Sequence, residues 1–198
     1  MAVILMVSFS ASGQISGVKK KRSYLDSVAK SHVALLKGGV LLVRLQTREK
    51  LLASLLDRKD VVEFDKQKKI IALEHLEIVN AVRANYHFSQ YYFFYAHQSN
   101  KVKQREFSGV LLNDSLEVVV DDIQHFYVLD PYEIEFKSMN SHQSGLCVLD
   151  CDFVQLEKPF PYYVRKRDAL KFLRRDYFQM MQVLQKNLDF SVRKWGLI

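Results

Sequence analysis

The residues with the clearest chemical potential lie where an apolar run of the sequence ends. Arg44 interrupts Val40–Gln46, and Thr47 and Arg48 follow that run directly. A guanidinium in a predicted central strand must either form an ion pair or face a cleft. In a cleft, its planar fork of N–H groups could bind a carboxylate or a phosphate. A structural ion pair is the alternative interpretation.

A second polar group follows the aromatic run Gln90–Ala96 and consists of His97, Ser99 and Asn100. If the two runs form parallel strands, both polar groups lie at one edge of the sheet, where open α/β sheets bind ligands. This placement is compatible with a hydrolase or transferase, although an ordinary polar loop would show the same residues. The sequence identifies no catalytic residue.

The heptamer Pro159–Arg165 is the most distinctive segment of the chain. Phe160 lies between its two prolines, and Tyr162, Tyr163 and Arg165 follow them. A segment stiffened by proline loses little entropy on binding, and aromatic side chains offer large contact areas. The heptamer therefore predicts a recognition surface. The alternative is a rigid segment that fills the core with Phe160 and Tyr162.

A cluster of positive charge follows the heptamer, and the formal net charge of the chain is +7. Six cations occur within eleven residues: Arg165, Lys166, Arg167, Lys171, Arg174 and Arg175. A basic surface favours acidic partners, which for an exported protein means an anionic glycan, a lipid surface or a protein partner. Nucleic acid would be expected only in the cytoplasm. The alternative is a solvated basic face without a partner.

The sequence predicts no metal site and no cofactor. The six histidines are scattered, and Asp121-Asp122 near His125 is more typical of a solvated turn than of a metal site. No Gly-x-Ser-x-Gly motif marks a nucleophilic serine. The spacing of Cys147 and Cys151 is too long along a strand for a disulfide, so free thiols are expected.

The first thirteen residues resemble the end of a secretory signal peptide. An uncharged apolar run leads to small residues at Ala11 and Gly13, which predicts cleavage before Gln14. The usual basic n-region is missing, and a buried N-terminal strand is the alternative. The expected organisation is a signal-peptide remnant at 1–13 and one domain at 14–198, periplasmic or secreted and without a transmembrane segment.

Hydrophobic periodicity and turn signals predict an α/β fold with a single mixed sheet flanked by helices. The predicted helices are Tyr24–Leu36, Thr47–Leu56, Asp60–Tyr86 and a last one capped by Asp168. The predicted strands are Val40–Gln46, Gln90–Ala96, His125–Leu129, Gly145–Asp150 and Phe153–Glu157. A hairpin is predicted around Asn113–Ser115 and a polar loop at Met139–Ser144. This order is thioredoxin-like. A redox function is not expected, because Thr47-Arg48-Glu49-Lys50 stands where a Cys-x-x-Cys motif would be.

Four short segments resemble a family of small exported proteins of Bacteroidetes-type bacteria. They are Leu42–Thr47, Tyr92–Tyr95, Gly109–Asn113 and Pro159–Arg165. The resemblance implies export and a single domain, and it transfers no catalytic residue.

The sequence therefore favours an exported, non-catalytic binding domain that uses an aromatic and basic surface. The first alternative is a hydrolase or transferase with a polar site at the strand ends. The second is a nucleic-acid-binding protein, which requires a cytoplasmic location.

Overall fold

The computed structural model of the chain describes residues 12–136, 141–167 and 171–197. Within these residues the chain forms six β-strands and five α-helices. The strands are β1 (Val40–Leu45), β2 (Gln90–Tyr95), β3 (Phe126–Asp130), β4 (Glu133–Phe136), β5 (Ser141–Leu149) and β6 (Tyr163–Arg165). The helices are α1 (Ser12–Gly38), α2 (Glu49–Asp57), α3 (Val61–Asn85), α4 (Ser99–Lys103) and α5 (Tyr177–Trp195).

The strands form one mixed sheet, so the predicted α/β class is confirmed. β1 pairs in parallel with β2 on one side and with β3 on the other, while β5 runs antiparallel to β3, β4 and β6. β4 continues the register of β3 along β5, because Asp130 faces Cys147 and Glu133 faces Ser144. β3 and β4 therefore act as one strand with a break at Pro131–Tyr132.

A thioredoxin-like strand order is not confirmed. The predicted order places antiparallel additions after the first parallel pair, whereas β3 lies beside β1 and runs parallel to it. Short-range patterns identify strands but do not specify which strands become neighbours in the sheet.

Each face of the sheet has its own apolar core. Alternate residues of β1 separate the two cores, since Leu41 and Val43 face one side and Val40 and Leu42 face the other. The larger core packs the sheet against α1, α3 and α5. The smaller core packs it against α4 and the irregular segment 104–125.

Helices α3 and α5 begin at side-chain caps. Asp60 accepts a hydrogen bond from the backbone N–H of Glu63 at the start of α3, as the sequence predicts. α5 begins later than predicted, at Tyr177, where Asp176 and Gln179 form a capping box. The predicted cap, Asp168, lies outside the described residues. Of the apolar face predicted from helical spacing, Tyr177, Met181, Leu184 and Leu188 are buried on α5, whereas Leu173 lies before the helix and is exposed and Leu170 is outside the described residues.

Other predicted boundaries also change. α2 begins after Arg48, whose φ of 49° is left-handed, so Thr47 is not its cap. Ser141–Ser144, predicted as part of a loop, belong to β5. α1 begins at Ser12 and runs through the predicted cleavage point before Gln14, while residues 1–11 of the predicted signal segment lie outside the described residues.

Two predicted β elements reduce to single bridges. The hairpin around Asn113–Ser115 closes only through a bridge between Leu112 and Val118. The strand predicted at Phe153–Glu157 contributes only a bridge between Gln155 and Leu149. A single bridge is not a ladder, so these segments follow the surface of the core and do not add strands to the sheet.

The junction between α1 and β1 requires a glycine. A Cβ atom at Gly39 would lie 2.7 Å from the backbone oxygens of His125 and Leu35, whereas one at Gly38 meets nothing within 4 Å. Gly39→Ala is therefore expected to lower the free energy of unfolding by about 1–3 kcal/mol through overpacking. Urea denaturation measures this, with Gly38→Ala as the matched control that retains stability. Equal stability of both variants would contradict the close approach.

Candidate functional site

The aromatic heptamer and α5 form the two walls of a surface groove with a cavity volume of about 660 Å³. We call it the basic groove. Its cations are Lys158, Arg165, Arg167 and Arg175, and no acidic residue is among the described residues that line it. Val183 and Asn187 of α5 complete the helical wall. The predicted recognition segment and part of the predicted basic cluster thus meet at one place.

A bulge in the edge strand creates the other wall of the basic groove. Gln155 faces Leu149 and Tyr163 faces Cys147, so the chain advances eight residues while β5 advances two. The extra residues, around Pro159–Pro161, bend away from the sheet. Proline fixes its own φ and lacks a backbone N–H, which suits a segment that leaves the ladder.

Phe160 anchors this bulge in the larger core and has only 1% of its surface exposed. Its ring stacks on Tyr127 at a centroid distance of 6.5 Å and meets the edge of His32 at 6.2 Å. The core-filling alternative is therefore confirmed for Phe160, which supports the wall from beneath and is not available to a ligand. Tyr162 and Tyr163 remain half-exposed, with ring centroids 4.7 Å apart.

Two positive centres lie along the basic groove. At one, the Lys158 ammonium and the Arg165 guanidinium lie 5.9 Å and 5.6 Å from the centroid of the Tyr163 ring. At the other, burial lowers the pKa of the Arg175 guanidinium, and the charge of Arg167 lowers it further. The backbone N–H of Arg175 also bonds the carbonyl of Lys166 at 2.8 Å, which fixes the start of α5 beside β6.

The His32 contact beneath the groove makes stability sensitive to pH. Burial lowers the pKa of His32 below its usual 6.5, against the opposing charge of Asp150. The unfolded chain therefore takes up this proton first, so the stabilisation is complete above pH ~6.5 and is lost as the pH falls toward the folded-state pKa. Between pH ~7.5 and ~5.5, we expect wild type to lose more stability in urea than His32→Gln. Equal losses would contradict this.

The strand-end residues predicted as a polar site do lie at one edge of the sheet, but in separate contacts. Arg44 bonds Asp130 at the end of β3, with 2.8 Å between Nη1 and Oδ2. Arg48 bonds Glu74 of α3 at 2.7 Å. His97 lies 3.2 Å from Glu49 at the start of α2. Arg44, Arg48 and His97 thus each lie beside a different carboxylate of the fold.

Ser99 and Asn100, which are also predicted strand-end site residues, form hydrogen bonds with nearby backbone groups. The hydroxyl of Ser99 donates to the carbonyl of Ala96 at 2.6 Å, and the Asn100 carbonyl accepts from the backbone N–H of Gln104, the residue that follows α4. Thr47 is half-buried in the turn that leads to Arg48. These contacts are those of a structural helix start and not of a converging site.

Sequence reasoning missed the side chains that close this strand-end cluster. Glu74 accepts from both Arg48 and the hydroxyl of Tyr177, at 2.7 and 2.8 Å. The hydroxyl of Tyr132 accepts from the backbone N–H of Gln46 at 3.0 Å. These groups come from distant parts of the chain, and nothing in their local sequence marks them.

Comparison with known proteins does not assign the chain to a family. No protein-family model, curated protein or solved structure matches the chain. The resemblance to an exported bacterial family therefore stays a prediction.

The described residues contain neither a group of His, Cys, Asp and Glu side chains that could hold a metal ion nor a helix long and apolar enough to cross a membrane. Cys147 lies buried in β5 and Cys151 lies in the turn after it, both as free thiols. Burial, together with the charge of Asp130, raises the pKa of Cys147 to about 12, so this thiol is poorly reactive at neutral pH.

Proposed function

We propose that the protein is a non-catalytic binding domain that recognises an anionic ligand in the basic groove. The observation that carries the proposal is the gathering of four cations on both walls of one groove, without a carboxylate among the described residues that line it. Like charges held together in a partly desolvated site repel one another, and a bound anion removes that repulsion.

The strand-end cluster provides the internal contrast. There, Arg44 and Arg48 each lie within 2.8 Å of a carboxylate of the fold itself, and the charge is already balanced. In the basic groove, by contrast, burial lowers the pKa of Arg175, and the like charge of Arg167 lowers it further. Arg167 and Arg175 therefore repel each other, and a bound external anion would offset that repulsion.

Guanidinium groups also favour particular anions. Three of the four cations that line the groove are arginines. The planar guanidinium fork bonds two oxygens of a carboxylate, phosphate or sulfate at once. The proposed ligand therefore carries carboxylate, phosphate or sulfate groups and is not a simple ion such as a halide.

We further propose that the protein is exported, on the strength of the apolar segment and small residues at Met1–Gly13. Export makes nucleic acid an unsuitable ligand and leaves glycans, lipid headgroups and proteins. Fractionation of the producing cell, followed by N-terminal sequencing of the mature chain, tests this part. A mature chain that starts at Gln14 outside the cytoplasm is the expected result, and a cytoplasmic chain that retains Met1–Gly13 would contradict it.

The groove itself is tested by titrating the isotope-labelled protein with tripolyphosphate and following the backbone amide signals by NMR. The expected shifts are confined to residues 158–167 and 175–187, and they weaken as salt is added, since exposed charges are screened. Shifts spread evenly over the basic surface, or centred on the Arg44 and Arg48 region, would contradict the proposal.

A further inference from the structure

Building on the proposed function, we infer that the ligand of the basic groove is an extended acidic segment of another protein that carries both carboxylates and apolar side chains. The basis is the shape of the groove, its mixture of charge and apolar surface, and the contacts its tyrosines already make.

The groove is elongated and has one straight wall. Arg175 immediately precedes α5, and Asn187 lies ten residues beyond the start of that helix at Tyr177. At 1.5 Å per residue, this wall is about 15 Å long. An extended peptide rises about 3.3 Å per residue, so the wall accommodates four to five residues. A compact anion would fill only part of it.

The lining of the groove also includes apolar surface. Val183 lies on the helical wall, and Pro159, Pro161 and Tyr162 lie on the opposite wall. In an extended chain, successive side chains point to opposite sides. Because cations and apolar side chains occur on both walls, an extended peptide that carries both acidic and apolar residues can direct carboxylates to the cations while its apolar side chains pack on Val183 and the prolines.

The aromatic side chains of the groove are poorly arranged for nucleic acid. Proteins that bind single strands stack bases on open aromatic faces. The ring of Tyr163 instead carries Lys158 and Arg165 near its centroid and meets Tyr162 at 60°. With its ring engaged by these neighbours, Tyr163 positions charge and does not offer a stacking platform. This favours recognition of carboxylates over recognition of bases.

The test measures fluorescence anisotropy with a labelled peptide of sequence Ser-Glu-Leu-Glu-Leu-Glu-Ser. Two control peptides replace the leucines by serine or the glutamates by glutamine. We expect each replacement to weaken binding about tenfold or more, since both the charged and the apolar contacts contribute. Equal affinity of the leucine and serine peptides would overturn the inference.

A matched pair of protein variants separates this inference from the proposed function. Val183→Ser is expected to weaken the peptide more than it weakens tripolyphosphate, because the valine side chain offers apolar contact and no charge, whereas Arg175→Glu weakens both. Oligothymidylate or a heparin tetrasaccharide that binds more tightly than the peptide, while tripolyphosphate still binds in the groove, would overturn the peptide inference alone. If tripolyphosphate also fails to bind there, the proposed function fails with it.

Discussion

Phe160→Ala is expected to lower the free energy of unfolding by about 3–5 kcal/mol, the usual cost of removing a buried phenyl ring. The ring fills the larger core between the sheet and α1, where it stacks on Tyr127 and meets His32. It is also the only residue of the Pro159–Pro161 bulge that is fully buried. Its loss creates a cavity and releases the groove wall at the same time.

Urea denaturation measures the effect of Phe160→Ala. Phe172→Ala is the matched control, because Phe172 is 83% exposed and its removal is expected to change stability by less than about 0.5 kcal/mol. If the two alanine variants prove equally stable, Phe160 does not anchor the bulge.

Asp130→Ala is expected to cost about 2–4 kcal/mol, somewhat less than a fully buried pair because Arg44 retains 25% side-chain exposure. Asp130 bonds Arg44 through one oxygen and the backbone N–H of Tyr132 through the other, at 2.8 and 3.1 Å. The Nε atom of Arg44 is buried and has no hydrogen-bond partner among the described residues. Removing Asp130 therefore leaves a poorly solvated guanidinium.

The double variant Arg44→Met with Asp130→Leu distinguishes a charge effect from a packing effect. Replacing both members of a buried pair by apolar residues is often neutral or stabilising. We expect the double variant to be more stable than Asp130→Ala in thermal or urea unfolding. A double variant that is less stable than the single one would show that the ion pair itself, and not its desolvation, supports the sheet.

The most regular segments were predictable from the sequence because local pattern determines them. The apolar run at Val40–Leu45 and the aromatic run at Gln90–Tyr95 form the predicted parallel pair. The cap at Asp60 begins α3 as predicted. The capping-box spacing of Asp176 and Gln179 also marks the start of α5 in the sequence, whereas the predicted cap, Asp168, lies eight residues earlier.

The remaining features depend on contacts between distant residues. Nothing local to Phe126–Asp130 indicates that this strand lies parallel to β1. Arg44 was identified as a residue that needs a partner, but Asp130 lies 86 positions away. Likewise, the heptamer Pro159–Arg165 and Arg175 were identified separately, and only the fold brings them together with Val183 of α5.

The most direct test of the central claim is calorimetric titration of tripolyphosphate into the double variant Arg167→Glu with Arg175→Glu. The control, Lys30→Glu with Lys101→Glu, makes the same change in net charge at exposed lysines that do not line the groove. Because each charge-assisted hydrogen bond contributes about 1.5–3 kcal/mol, we expect the groove variant to lose at least ~10-fold in affinity and the control less than ~3-fold. Equal losses in both variants would contradict the basic groove as the binding site.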